Sequence, residues 1–172
     1  MVVSERKEDI KVGESFEQHA IVLSSMILKE SDKLAHLYTS EFGKITVIAK
    51  GAAKSLKRFG PGLEPFTHIK AQLKKSKNFS EDNKIFLIDR LDVKDTFPHL
   101  RRSYSTIETA FFVVKFVLDL VPEGVEDPSL FKALGRILRD SAAMDLNAHA
   151  SWARVAFLVW FARHSGFGSI DE

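Results

Sequence analysis

Residues 43–50, GKITVIAK, alternate apolar and polar side chains. In an extended chain this period of two places Ile45, Val47 and Ala49 on one face and the polar side chains on the other. Residues 68–75, HIKAQLKK, repeat the alternation. The two stretches predict strands of an antiparallel sheet that is half-buried, with one face toward a core and one toward solvent.

The same period extends through the first half of the chain and predicts five strands, at about 19–28, 33–40, 44–51, 67–75 and 84–92. Five short strands leave unpaired edges unless the sheet closes on itself. A five-stranded antiparallel β-barrel of the oligonucleotide-binding (OB) type is the economical solution.

After residues 97–98 the apolar residues recur three and four positions apart, which is the period of a helix. The predicted apolar stripe of the first helix is Leu100, Tyr104, Ile107, Phe111, Val114, Leu118 and Val121. A second helix is predicted to begin at residues 127–128, with Asp as its cap and Pro in its first turn, and a third to span about 147–164. The predicted fold class is therefore α+β, an N-terminal barrel followed by an α-helical bundle.

These patterns predict a flexible tail over residues 1–17, a barrel domain over 18–96 and a helical domain over 97–172. The most apolar stretch, residues 110–121, is only 12 residues long, which is too short to cross a bilayer. The start of the chain lacks the apolar segment of a signal peptide, so we expect a cytoplasmic protein that does not contact membranes.

No catalytic motif stands out in the sequence. The six histidines show no metal-binding spacing, the chain has no cysteine, and Gly60-Pro61-Gly62 does not have the frame of a phosphate-binding loop. We therefore expect no enzymatic activity, no cofactor, no metal site and no dependence of folding on zinc.

Positive charge is concentrated in one part of the chain, because residues 43–77 contain nine lysines and arginines against a single glutamate. Such segregation suits a nucleic-acid backbone, although a solvated lysine-rich face would look similar. The candidate DNA-binding residues are Lys44, Lys50, Lys54, Lys57, Arg58, Phe59, Lys70, Lys74, Lys75 and Lys77. Further candidate stacking rings are Tyr38, Phe66 and Phe79, with Phe66 the more typical of a core residue.

Several motifs occur together in the order of one known family. They are HAIVLSSMILKESDKLAHLYTSEFGKITVIAKGA at residues 19–52, RFGPGLEPF at 58–66 and, more loosely, LVPEGVEDPSLFKAL at 120–134 and the stretch that ends in Gly-Phe-Gly at 168. The chain resembles RecO, the bacterial recombination mediator of the RecF pathway, over residues 19 to about 168.

The resemblance implies an OB barrel joined to a helical domain, binding of single- and double-stranded DNA, strand annealing, and recombinase loading with RecR and single-stranded-DNA-binding protein. It also implies that residues 49–60, AKGAAKSLKRFG, form the edge of a DNA groove. The family usually continues past Gly-Phe-Gly with a four-cysteine zinc element, whereas this sequence ends at Glu172; either a compact variant or a truncated chain is expected.

The helical half is the predicted receptor for the acidic C-terminal tail of single-stranded-DNA-binding protein, because it combines apolar surface with arginines. The candidate residues are Arg101, Arg102, Arg136, Arg139 and Arg154. Two alternatives stay open. The arginines could cover the bundle and pair with acidic neighbours, and the whole chain could be a non-enzymatic protein-interaction module whose basic barrel face binds acidic protein tails.

Overall fold

The computed structural model describes residues 10–77, 80, 84–140 and 150–166. The five strands are β1 (Ser15–Ile27), β2 (Lys33–Thr39), β3 (Gly43–Ala49), β4 (His68–Lys75) and β5 (Ile85–Asp95). The helices are the one-turn α1 (Leu56–Phe59), α2 (Tyr104–Leu120), α3 (Pro128–Asp140) and α4 (Ala150–His164), with short 3-10 turns at Gly60–Leu63 and Pro98–Arg102. The predicted α+β class is confirmed.

The strands form a closed five-stranded barrel in the order β1-β2-β3-β5-β4. Four of its pairings are antiparallel, but β3 and β5 run parallel, with Thr46 opposite Ile85 and Ile48 opposite Leu87. The prediction of an antiparallel barrel was wrong at this seam. Alternation within a strand shows which side chains share a face, and it contains no information about the direction of the neighbouring strand.

The interior of the barrel is filled by the apolar half of each alternating pattern. Inward side chains from all five strands form one core with Phe42, Phe59 and Leu63. Ile45, Val47 and Ala49 of β3 all belong to it, as the period of two predicts.

A connecting segment, residues 121–127, runs along the outer face of β3 before α3 begins. The backbone N–H of Gly124 donates to the Lys44 carbonyl at 2.9 Å, and the Thr46 hydroxyl donates to the Glu123 carboxylate at 2.9 Å. Gly43 has a φ of +64°, and a Cβ atom there would lie 1.8 Å from the Val125 carbonyl oxygen. Only glycine allows this approach, so the start of β3 is shaped to receive the connection.

A second core lies between the outer face of the barrel and the helices. Ile21, Tyr38 and Phe66 of the barrel region pack there with Val113 and Leu134 of α2 and α3, among others. The helices therefore pack both on one another and directly on the barrel. Burial raises the pKa of Tyr38.

The buried face of α2 coincides only in part with the predicted stripe: Val114, and Leu100 and Val121 beyond the two ends of the helix, are buried as predicted. Tyr104 is 80% exposed and Phe111 is 54% exposed, whereas the fully buried positions are Thr106, Thr109, Ala110, Val113, Val114 and Val117. The charged residues Glu108, Lys115 and Asp119 share the exposed face with Tyr104 and Phe111, so their spacing marks the solvent side better than the apolar stripe marks the core side. Small and β-branched side chains face inward because they allow the helix to approach its neighbours closely.

The start of α3 confirms the predicted cap. The Asp127 carboxylate accepts hydrogen bonds from the backbone N–H groups of Ser129 and Leu130, at 3.0 and 2.9 Å. It also accepts one from the His164 ring at 2.7 Å, which joins the end of α4 to the start of α3. Within the described ranges, none of the helices is long and apolar enough to cross a membrane.

Candidate nucleic-acid interface

The basic loop, which we define as residues 50–59, folds back over the β1–β2 turn. The Gly51 N–H donates to the Asp32 carboxylate at 2.8 Å, and the Ala53 N–H donates to the Ser31 carbonyl at 2.9 Å. Two hydrogen bonds to the neighbouring turn hold the loop at one end of the barrel. The lysines of the loop are therefore presented from an anchored backbone.

Arg58 fastens the other end of the loop to β5. Its guanidinium donates to the Asp89 carbonyl from Nη2 at 2.8 Å and lies 4.8 Å from the ring centroid of Phe59. That ring is only 2% exposed and belongs to the barrel core. The prediction that Phe59 offers a stacking face was wrong, because its ring closes the end of the barrel.

Three lysines at the loop remain available for a ligand. Lys50, Lys54 and Lys57 are exposed, and none has an ion-pair partner among the described residues. Lys77, after β4, is likewise exposed and unpaired within that part of the chain. Unpaired ammonium groups on one anchored loop are suited to neutralise successive phosphates.

The strand lysines differ from the loop lysines because acidic neighbours compensate them. Lys70 lies 2.7 Å from the Glu17 carboxylate, and Lys74 lies 2.8 Å from the Asp89 carboxylate. The hydrogen bond from Lys70 lowers the pKa of Glu17. Lys75 is partly buried. These cations contribute less free positive charge than the sequence predicts.

Lys44 was wrongly predicted to face solvent. Its side chain is buried, and its Nζ donates to the Leu118 carbonyl at 2.6 Å. That carbonyl lies in the last turn of α2, where helical carbonyls lack an intrahelical donor and carry partial negative charge. Lys44 therefore caps a helix. Of the other candidate rings, Tyr38 and Phe66 are buried and Phe79 lies outside the described residues.

A second cationic site, the basic cleft, lies between the barrel and α3. It has a volume of about 310 Å³ and is lined by Ile21, His68, Phe97, Phe131, Lys132, Gly135, Arg136 and Arg139. Lys132, Arg136 and Arg139 are exposed on one face of α3, without ion-pair partners among the described residues. Leu134 and Leu138, on the opposite side of the same helix, are fully buried.

His68 connects the basic cleft to the barrel surface. Its Nε2 lies 3.2 Å from Nδ1 of His19, within hydrogen-bond distance. Burial lowers the pKa of His68, and the neighbouring His19 lowers it further. The sequence interpretation missed both His68 and Lys132, although Lys132 has the four- and seven-residue spacing to Arg136 and Arg139 that places three cations together on a helix.

The remaining candidate arginines are dispersed. Arg154 binds the Glu108 carboxylate and reaches Thr109, so its charge is compensated within the helical region. Arg101 donates to the Thr96 carbonyl at 3.0 Å, and Arg102 is exposed. Arg136 also borders an apolar pocket of about 200 Å³ between α3 and α4, whose floor includes Phe157 and Trp160.

Among the described residues, no group of three or more histidine, aspartate or glutamate side chains is placed to hold a metal ion. The basic loop and the basic cleft each bring several exposed, unpaired cations together.

Comparison with known proteins finds similarity to proteins named DNA repair protein RecO. Residues 14–89 match the family described as "Recombination protein O N terminal". The chain is 36% identical over 125 residues to the DNA repair protein RecO of Geobacter metallireducens, covering 73% of this chain and 49% of that protein. It is 30% identical over 153 residues to the DNA repair protein RecO of Myxococcus xanthus, covering 89% and 59%. The chain spans about half the length of the curated relatives that it matches.

Proposed function

Because the chain belongs to the RecO family, as its motifs predicted, we propose that it is a non-catalytic mediator of DNA repair and homologous recombination. In this proposal the chain binds single- and double-stranded DNA, anneals complementary strands, and assists recombinase loading together with RecR and single-stranded-DNA-binding protein. The barrel, with its order β1-β2-β3-β5-β4, is of the OB type and supplies the DNA contact.

The observation that carries the proposal is that the basic loop has unpaired lysines on an anchored backbone. Lys50, Lys54 and Lys57 have no acidic partner among the described residues, while backbone hydrogen bonds and Arg58 hold the loop itself. An unpaired lysine on an anchored loop gains the full electrostatic attraction of a phosphate. A lysine that is paired with a carboxylate must first separate from that carboxylate. Binding is therefore electrostatic and independent of base sequence.

The experiment is a fluorescence anisotropy titration with a single-stranded oligonucleotide at several salt concentrations. If four to six phosphates are neutralised, the slope of log K against log salt is about −3 to −4. The double variant Lys54→Glu/Lys57→Glu should weaken binding and flatten this slope. A control with the same charge change, Lys11→Glu/Lys115→Glu, should bind like the wild type.

A salt-independent affinity, or equal effects of the two double variants, would refute the basic loop as the DNA site. An acidic peptide serves as competitor in the same assay. If the peptide displaces the oligonucleotide when its carboxylates are about as concentrated as the phosphates, the chain is instead an interaction module for acidic protein tails.

For the protein partner, we place the acidic tail of single-stranded-DNA-binding protein in the basic cleft. Arg136 and Arg139 line this one cleft, as a tail carboxylate requires, and Phe131 and Ile21 provide apolar floor. A labelled tail peptide should bind the wild type and the basic-loop variant equally but lose affinity for Arg136→Glu/Arg139→Glu. Loss in the basic-loop variant alone would refute the placement.

A further inference from the structure

The basic cleft has cations on its helical side and a histidine on its barrel side. The cations of α3 that line it are Lys132, Arg136 and Arg139. On the barrel side it is lined by His68 of β4, whose ring meets the Phe131 ring of α3 at a centroid distance of 6.0 Å and an interplanar angle of 71°. An anion in the cleft therefore lies between the cations of α3 and an imidazole of the barrel.

The His68 ring uses one nitrogen for a neighbouring ring and leaves the other for a ligand. Its Nε2 lies 3.2 Å from Nδ1 of His19, which is exposed on β1. Its Nδ1 has no hydrogen-bond partner among the residues that the structure describes. A neutral imidazole has one donor and one acceptor, whereas a protonated imidazole donates from both nitrogens. Protonated His68 can therefore donate to His19 and to a bound carboxylate at the same time.

The groups packed around His68 oppose its protonation while no anion is bound. Burial and the neighbouring His19 lower the pKa of His68. Among the charged groups, Asp95 of β5 raises this pKa, whereas Arg139 of α3 and Lys94 of β5 lower it. A carboxylate beside His68 reverses the balance, because it attracts the proton and offsets the charge of Arg139.

We propose that His68 is the barrel-side contact for the anion in the basic cleft, and that it binds a carboxylate of the acidic tail in its protonated form while His19 accepts its other N–H. This inference rests on the proposed placement of the tail in the cleft, and it adds a proton that the complex takes up from the solvent. Lys70 and Glu17, which lie beside His19 on the same barrel face, pair with each other and contribute little to this balance.

The uptake of a proton fixes the direction of the pH dependence. The complex binds more protons than the free protein and the free tail, so the affinity increases as the pH falls. The gain is complete below the pKa of His68 in the free protein, which lies below the ordinary value of about 6.5, and it is lost above the pKa of His68 in the complex. The tail carboxylates stay ionised above about pH 5, so they do not produce this gain.

The test is an anisotropy titration of the labelled tail peptide at constant ionic strength and at about pH 5.5, 6.5 and 7.5, which bracket the ordinary pKa of histidine. We expect the wild type to bind roughly three- to tenfold more tightly at the lowest pH than at the highest, since a pKa difference of about one unit gives up to tenfold. His68→Gln should remove most of this gain. The matched control is His36→Gln, which changes a half-buried barrel histidine outside the cleft and should retain the gain.

His19→Gln tests the histidine pair at an exposed position, with little risk to folding. The amide oxygen of glutamine still accepts a hydrogen bond from Nε2 of His68, while the charge of a protonated His19 is gone. The midpoint of the pH dependence should therefore move to higher pH, a shift that a merely structural role of His19 does not produce. Calorimetry in two buffers of different ionisation enthalpy measures the proton uptake directly, and we expect it for the wild type and not for His68→Gln.

A His68→Gln variant with the pH dependence of the wild type overturns the inference and leaves the tail in the cleft. An affinity of the wild type that does not change with pH, together with loss of binding in Arg136→Glu/Arg139→Glu, has the same meaning. A peptide that does not bind, or that binds Arg136→Glu/Arg139→Glu as it binds the wild type, overturns both the inference and the placement of the tail.

Discussion

The lysines at the two ends of β3 differ in their exposure to solvent. Lys44 and Lys50 both occupy outward positions of one alternating stretch, yet Lys44 is 8% exposed and caps α2, whereas Lys50 is exposed beside the basic loop. The connecting segment lies over the first end and leaves the second end open. Outward direction on a strand is therefore a local property, and access to solvent depends on what packs against that face.

The most direct test of this comparison is to replace Lys44 and Lys50, each in a separate variant, by glutamate. Lys44→Glu places a buried carboxylate against the Leu118 carbonyl, so we expect a loss of about 3 kcal/mol or more in the free energy of unfolding. Lys50→Glu should change stability by less than about 0.5 kcal/mol and weaken DNA binding. Urea denaturation measures the first effect and anisotropy the second.

Lys44→Met is the matched control, because it retains the buried stem and loses the ammonium group with its hydrogen bond, at a cost of about 1–2 kcal/mol. Equal stability of the two glutamate variants would contradict the capping role of Lys44.

Glycines at the two ends of β3 extend the comparison to the backbone. Both Gly43 and Gly51 have positive φ, but a Cβ at Gly43 meets the Val125 carbonyl while nothing lies within 4 Å of one at Gly51. Gly51→Ala should cost about 1–2 kcal/mol from backbone strain alone. Gly43→Ala should cost at least about 1 kcal/mol more, since the connecting segment must move. Thermal and urea unfolding of the two variants would test this difference, and equal losses would contradict it.

A smaller effect, on the salt dependence of DNA binding, should distinguish unpaired lysines from ion-paired lysines on the barrel. Lys57→Met should reduce the salt slope of DNA binding by about 0.7, the contribution of one phosphate on a single strand. Lys70→Met removes a lysine that Glu17 already neutralises, so its slope should remain close to that of the wild type. A larger effect of Lys70→Met would show that the strand lysines, rather than the basic loop, contact DNA.

The smallest expected effect is a pH dependence at the border of the helix-covered face. Burial, His19, Arg139 and Lys94 lower the pKa of His68, whereas Asp95 raises it. The folded state therefore binds fewer protons than the unfolded state just below about pH 6.5, so this contribution to stability is complete above that pH and decreases as the pH falls. His68→Gln should reduce the pH dependence of urea midpoints in this window; an unchanged profile would argue against His68 as its source.

Much of the fold could be predicted from the sequence. All five strands lie within a few residues of the predicted ranges, and Asp127 caps α3 as expected, because period and capping are local properties. The boundaries at residues 17 and 96 remain predictions, and β1 begins at Ser15, before the first of them.

The candidate site was less predictable. The number of cations in residues 43–77 is a property of the sequence, but their pairing with Glu17, Asp89 or the carbonyl of Leu118 joins residues far apart in the chain. No local pattern contains those partners. The same reason explains Phe59, whose neighbours in sequence suggest a surface ring and whose neighbours in space form a core.

The sequence by itself determined the strands, the helices, the family and the concentration of positive charge, because each depends on residues close together along the chain. Only the tertiary structure decided the parallel seam between β3 and β5, the face of α2 that is buried, and which lysines are free. Each of these depends on which distant segment packs on a given surface. Packing selects among faces that the local pattern leaves equivalent, since burial and charge pairing depend on neighbours in space.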